Sequence, residues 1–321
     1  MKRKLLFIIL LMVLITAVAA VFIAITKDSA SDKEGAEEAK LKLVSTFYPV
    51  YLIGLNLFDN INEVEVKSLT DLDTGCLHDY QLTSQDMKNI SEADILVING
   101  GGMEAFLQDI KANYPDLTII DASKDIELYQ DNSHVWLDPD LYIRQIENVR
   151  DAIISYLDLN SSKATGSKKL DASKIKERLT ENADAYIRRI EEIDLRLDEI
   201  KEKYLAAGKN SAKAVIFHDA FAYIAKRIGM PVAYSIPLDH DTSLSAEEIA
   251  AIIDDVNNDE ISYLFTEEQY SDSVAKRIEA ETSAKAYIID SAVTGNGSKE
   301  SYIEAMEKNI KVLESALFNQ G

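Results

Sequence analysis

Three of the chain's four histidines stand in short motifs far apart in the sequence: His78-Asp79-Tyr80, His134-Val135-Trp136-Leu137-Asp138-Pro139 and His218-Asp219-Ala220-Phe221. Neutral imidazole is the commonest protein ligand for zinc-like ions, and imidazoles delivered by distant segments fix a coordination geometry that no single local motif could. The chemistry to expect is metal binding, provided the segments converge. Taken singly, each histidine reads as a surface or hydrogen-bonding residue near a helix start. Asp290 and Glu267 are carboxylates that follow apolar runs in the same way as His218. Cys76, the single cysteine, precedes His78 by two residues and could reach a metal in a loop, although a small loop residue is the simpler role. His240, within Leu238-Asp239-His240-Asp241, reads as an exposed loop residue.

The elements that must position these residues are legible as alternating short apolar runs and amphipathic stretches, which indicate βα units. Strands are expected at Leu41–Ser45, Val64–Leu69, Ile95–Ile98 and Leu117–Ile120, with helices at Val50–Phe58, Thr83–Ile90 and Glu104–Ile110. Asp138-Pro139 supplies an N-cap and a first-turn proline for a helix running to Leu157, so His134 falls just before a helix. From Ile175 to Tyr204, nine apolar residues recur every three or four positions among charges, which predicts one long helix ended near Gly208. A coiled-coil partner would give the same stripe, but βα units resume at once: strands at Ala214–Phe217, Val232–Ile236, Ile261–Phe265 and Ala286–Ile289, helices at Ala220–Ile228, Ser245–Val256, Asp272–Glu281 and Lys299–Leu317.

The expected fold is therefore α/β, with two βα lobes, each a mostly parallel sheet with flanking helices, joined by one long rigid helix. The boundaries read as 41–170 for the first lobe, 171–208 for the connecting helix and 209–321 for the second. Ligands of open α/β sheets bind beyond the carboxyl ends of strands, which puts a metal site in the interlobe cleft. Gly100-Gly101-Gly102 lacks the Lys and the Ser or Thr of a phosphate-binding loop and reads as a strand-to-helix turn.

Lys2-Arg3-Lys4 precedes an uncharged run from Leu5 to Thr26, long enough to cross a bilayer core of about 30 Å. Residues 1–26 are thus expected to be a signal or transmembrane anchor, with Ala17-Val18-Ala19 as a possible cleavage signal and an uncleaved anchor favoured. The polar stretch 27–40 reads as a flexible tether, and the charge pattern places everything after it outside the cytoplasmic membrane. With 34 basic against 55 acidic residues, a formal charge of −21 argues against nucleic acid as a partner.

Taken together, the motifs resemble those of the metal-binding proteins of zinc and manganese ABC importers, the cluster of zinc-, manganese- and adhesin-type binding lipoproteins. The resemblance spans nearly all of Leu41 to Leu317. It rests on Ser45-Thr46-Phe47-Tyr48-Pro49, His78-Asp79-Tyr80 with Ser84 and Asp86, Ala93-Asp94, Asn99-Gly100, His134 to Pro139, His218 to Phe221, Phe265 to Ser271, and Asp290. It implies a metal held by His78 and His134 from the first lobe and His218 and Asp290 from the second, with Glu267 in reserve. Three nitrogens and one carboxylate favour Zn²⁺, with Mn²⁺ as the alternative. It further implies a protein that passes the ion to an ABC permease and its ATPase and catalyses nothing; a monomer is expected. A surface adhesin and an extracellular zinc hydrolase are the rival readings. Trp136 and Phe221 are expected to pack the cleft walls, and Asp138 and Asp219 to cap helices or to accept from ligand imidazoles. Two departures stand out. No lipid-attachment cysteine follows the apolar run, and Asp71 to Leu77, with Cys76, replaces a loop that commonly carries Gly, Thr, Glu and Pro before the first histidine.

Overall fold

The four apolar residues Ile95–Ile98 are all buried, as in a central strand of a parallel sheet covered on both faces. A computed structural model describes residues 40–160, 171–208, 212–236, 244–259, 261–267 and 273–318. In it Ile95–Ile98 is β3 of a parallel sheet with β1 (Leu41–Ser45), β2 (Val64–Ser68) and β4 (Thr118–Asp121), in spatial order β2-β1-β3-β4. Helices α1 (Tyr48–Leu57), α2 (Ser84–Ser91) and α3 (Leu107–Asn113) lie in the crossovers that parallel pairing requires. Thr83 caps α2 in a reciprocal capping box with Asp86.

The expected helix from Glu104 begins three residues later, at Leu107. The reason is chemical, because the Glu104 carboxylate is engaged with the backbone of the preceding strand end: Oε1 accepts from Asn99 N at 2.7 Å and Oε2 from Gly100 N at 3.1 Å. Gly100 must be glycine, since its φ is +79° and a Cβ would stand 1.9 Å from Asp121 Oδ1.

A one-turn 3₁₀ segment, Val135–Leu137, leads into α4 (Pro139–Asn160), and Asp138 Oδ1 accepts from Asp140 N at its start. Helix α5 (Ala172–Ala206) buries Ile175, Leu179, Ala183, Tyr186, Ile190, Ile193, Leu197, Ile200 and Tyr204, the nine residues of the apolar stripe. It packs on α1 and α4; each large side chain so buried contributes about 1.5–3 kcal/mol.

The second lobe repeats the first. Strand β5 (Lys213–Ile216) is followed by α6 (Phe221–Ile228), β6 (Val232–Ser235), α7 (Ala246–Asn258), β7 (Ile261–Glu267), α8 (Ser273–Glu281), β8 (Lys285–Ile289) and α9 (Ser301–Phe318). Its strands are all parallel, in the order β6-β5-β7-β8. Helices α6 and α9 also pack on α5, and Arg227 of α6 pairs with Asp194 and Asp198 of α5. Apolar side chains of the first sheet, α4, α5, α9 and one face of the second sheet form a continuous core. A smaller cluster that includes Val215, Phe217, Ile252 and Leu264 fills the other face of the second sheet. No helix of the described residues is long and apolar enough to cross a membrane; the expected anchor and nearly all of the expected tether, residues 1–39, lie outside them.

Candidate metal centre

In both sheets the strand order reverses between the first and third strands, β1/β3 and β5/β7, and such a switch point opens a crevice beyond the carboxyl ends. In the second lobe the crevice itself carries two candidate ligands. His218 follows β5 by two residues and Glu267 ends β7; both are buried, and His218 Nδ1 lies 3.8 Å from Glu267 Oε1.

The first lobe uses its switch point otherwise. Thr46, just after β1, donates to Glu104 Oε1 at 2.7 Å, and Asn99, just after β3, donates to Ser133 O at 3.0 Å and accepts from Gln145 at 2.9 Å. This buried polar lattice holds the loop that delivers His134 next to Ser133. Burial pushes the Glu104 carboxyl upward, and the hydrogen bonds from Thr46, Asn99 and Gly100 pull against that. His78 and Cys76 arrive on a second loop, after β2, pinned by Tyr80, whose hydroxyl donates to Asp86 Oδ2 at 2.8 Å. Burial and that carboxylate push the Tyr80 phenol up to about 12.

The three predicted histidines converge. His78 Nε2 lies 3.2 Å from His134 Nε2, and the His134 and His218 rings are 4.7 Å apart between centroids. Cys76 Sγ lies 3.5 Å from His134 Nε2. Among the described residues, ligand atoms of Cys76, His134 and His218 all lie within 4.8 Å of one another. His134 and His218 are buried, Cys76 is half-buried and His78 is exposed at the mouth. A cavity of about 650 Å³ opens from His78 and His134 towards Asp219 and Tyr234. A larger groove of about 1160 Å³, along β4 and α4, is lined by no histidine or cysteine.

Among the described residues, Asp290 is not in the group whose ligand atoms lie within 4.8 Å of one another. Oδ1 accepts from Ala292 N at 2.9 Å and Oδ2 lies 3.8 Å from Lys308 Nζ, so the side chain serves its own turn. The following residue, Ser291, does border the site, since its carbonyl accepts from the Trp136 indole at 2.8 Å. Trp136 and Phe221 are buried beside the imidazoles, at 5.2 Å from His134 and 6.3 Å from His218 between ring centroids. His240 lies outside the described residues.

The electronic state of His134 is set by a residue that sequence reasoning did not nominate. Asn132 Oδ1 lies 2.7 Å from His134 Nδ1 and 2.9 Å from its backbone N. An amide oxygen only accepts, so Nδ1 carries the hydrogen and Nε2 turns its lone pair to Cys76 and His78. Asn132 Nδ2 donates to Asp219 O at 2.8 Å, and its carbonyl accepts from Tyr223 of α6 at 2.6 Å, tying the lobes together at the site. Asp219 thus meets the His134 loop through its carbonyl rather than its carboxylate. Burial, then the neighbouring His218 and His78, hold the His134 pKa well below the ordinary imidazole value, leaving a neutral nitrogen donor at physiological pH. The only local sign of Asn132's role is its two-residue offset from His134, which permits an Asx-type turn.

A sequence model of the family described as "zinc-uptake complex component A, periplasmic" matches residues 43–316. The chain belongs to this zinc-uptake A family. The zinc-binding protein AdcA of Streptococcus pyogenes is 29% identical, over 88% of this chain and 57% of its own length, so the chain spans little more than half of that relative. The high-affinity zinc uptake system protein ZnuA of Bacillus subtilis is 25% identical over 94% of this chain and 96% of its own length. The crystal structure of the Zn(II)-bound ZnuA-like domain of Streptococcus pneumoniae AdcA superposes with a TM-score of 0.69 at 26% identity, covering 87% of this chain and all but 1% of that one. The two parallel-sheet lobes are those of the zinc-uptake A fold. In this member of the zinc-uptake A family, the histidines arrive from three loops and are joined by a thiol.

Proposed function

We propose that the chain captures Zn²⁺ outside the cytoplasmic membrane and hands it to an ABC permease driven by its ATPase. The observation that carries this reading is the convergence of His78, His134 and His218, drawn from both lobes, with His134 kept neutral by burial and oriented by Asn132. Nitrogen donors favour zinc over manganese, which sits lower in the divalent affinity order. The relatives whose names specify zinc support the same choice. The net charge of −21 mildly favours a cationic cargo.

On this reading residues 1–26 anchor the chain, 27–40 tether it, the lobes at 41–170 and 209–321 close on the ion, and 171–208 restrains their swing. Capture needs no catalytic base and no turnover; release follows docking of the closed form on the permease. The protein acts as a monomer.

The test is elemental analysis of the purified chain with competitive zinc and manganese titration. One equivalent of zinc, lost in His134→Ala and displaced poorly by manganese, is the expected result. Metal content unaffected by replacing any of the three histidines would overturn the reading, and tighter manganese binding would reassign the cargo.

A further inference from the structure

We propose that Cys76 is a ligand of the captured ion, so that the site closes as one thiolate and three imidazoles and discriminates zinc from manganese through sulfur. This rests on the metal-capture reading above and specifies its donor set.

The distances carry the argument. A tetrahedral zinc held at about 2.3 Å by sulfur and about 2.0–2.1 Å by nitrogen requires sulfur–nitrogen edges of roughly 3.6 Å and nitrogen–nitrogen edges of roughly 3.3 Å. Cys76 Sγ stands 3.5 Å from His134 Nε2, and His78 Nε2 stands 3.2 Å from the same atom. Two edges of the polyhedron are therefore in place, both meeting at the nitrogen whose lone pair Asn132 points inward. His218 lies on the opposite wall, with its ligand atom within 4.8 Å of those of Cys76 and His134. Closure of the lobes that brings His218 and His78 onto the same centre completes the set.

The fourth position is thereby taken from the first lobe, not the second. Of the second lobe's oxygen donors, Asp290 is engaged by Ala292 N and faces Lys308, and Glu267 stands 3.8 Å from His218 Nδ1, behind the imidazole. Cys76 is also held where a ligand should be. Gly75 before it adopts φ +82°, Leu77 after it is fully buried, and the Tyr80–Asp86 hydrogen bond fixes the far side of the loop. The thiol enters coordination by losing its proton to solvent as the sulfur–metal bond forms, so charge and atoms balance. Thiolate is a soft donor that suits zinc and not manganese; with an oxygen in its place, the two ions would be separated far less.

The experiment uses the full chain in detergent. Loaded with Co²⁺ as a spectroscopic stand-in for zinc, the wild type is expected to show a near-ultraviolet thiolate-to-cobalt charge-transfer band together with intense four-coordinate visible bands. Cys76→Ser loses the charge-transfer band, and its zinc affinity falls by about tenfold or more while manganese affinity changes little. Zinc uptake by the wild type releases one proton more than uptake by the variant. Cys76→Asp, which restores an anionic donor of the hard type, recovers manganese affinity ahead of zinc affinity. The wild-type spectrum requires no substitution, so a variant that misfolds does not decide the matter. A wild-type cobalt spectrum without a sulfur band, with zinc binding still abolished by His134→Ala, overturns the thiolate ligand and leaves metal capture standing. A wild type that takes up neither cobalt nor zinc overturns both.

Discussion

The two lobes share one strand order, β2-β1-β3-β4 and β6-β5-β7-β8, yet they present the metal centre in opposite ways. In the second lobe the switch-point strands β5 and β7 deliver His218 and Glu267 directly, with almost no intervening chain. In the first lobe the equivalent strand ends carry Thr46 and Asn99, which bind Glu104 and Ser133 instead of a metal. Its candidate donors come from loops after the outer strands β2 and β4, the His134 loop supported on that buried polar lattice and the His78 loop by the Tyr80–Asp86 hydrogen bond. A strand end is rigid by virtue of its sheet and needs little else; a loop reaches a defined position only when its backbone polar groups are satisfied. One fold, used twice, thus yields a direct wall and a supported wall.

The largest effect should come from removing the atom on which the first wall converges. His134→Ala is expected to lower zinc affinity on the order of 100-fold or more, with His218→Ala similar; isothermal titration with a competing chelator measures both. If His218→Ala is nearly silent, the second lobe does not contribute a ligand and the comparison fails. Asn132→Ala leaves every donor in place but removes the acceptor that sets the His134 tautomer, and should cost about 10–100-fold in affinity. An equal loss on truncating Glu267 beside His218 would erase the contrast between supported and direct walls.

Glu104→Gln probes the lattice itself. Removing the carboxylate from three hydrogen bonds should destabilise the metal-free protein by about 1–3 kcal/mol in chemical denaturation. Burial raises the Glu104 pKa in the folded state, so the native protein binds more protons than the unfolded chain from the ordinary carboxylate range upwards. Stability contributed by the protonated form is complete below that range and is lost as pH rises through the folded pKa. The destabilisation caused by Glu104→Gln should therefore shrink from pH 4.5 towards neutrality, and a growing deficit would contradict the assigned direction. The smallest effect is expected for Asp290→Asn, which keeps the acceptor for Ala292 N; zinc affinity should change by less than about tenfold. A larger loss would make Asp290 a ligand after closure.

Most of the architecture was legible because its signals are local. Short apolar runs mark the strands, the stripe from Ile175 to Tyr204 marks α5, and Asp138-Pro139 marks the start of α4. The start of α3 was misplaced because Glu104 reads as a first-turn helix residue until its contacts to Asn99 and Gly100, across the strand end, are known. Of the site, the three histidines were nominated by type and by position after apolar runs. Cys76 was nominated only by its place two residues before His78; Asn132 and Glu104 differ in kind, since their roles depend on what stands opposite them in the fold.

By itself, then, the sequence determined the βα alternation, the connecting helix, the charge and the candidate imidazole donors, because these follow from hydrophobic period, helix caps and side-chain chemistry along a single stretch of chain. Only the tertiary structure decided that Cys76 stands 3.5 Å from His134 and that the Asp290 carboxylate accepts from Ala292 N. Distances between loops of separate crossovers are set by how sheets and core pack, which no single stretch of chain reports.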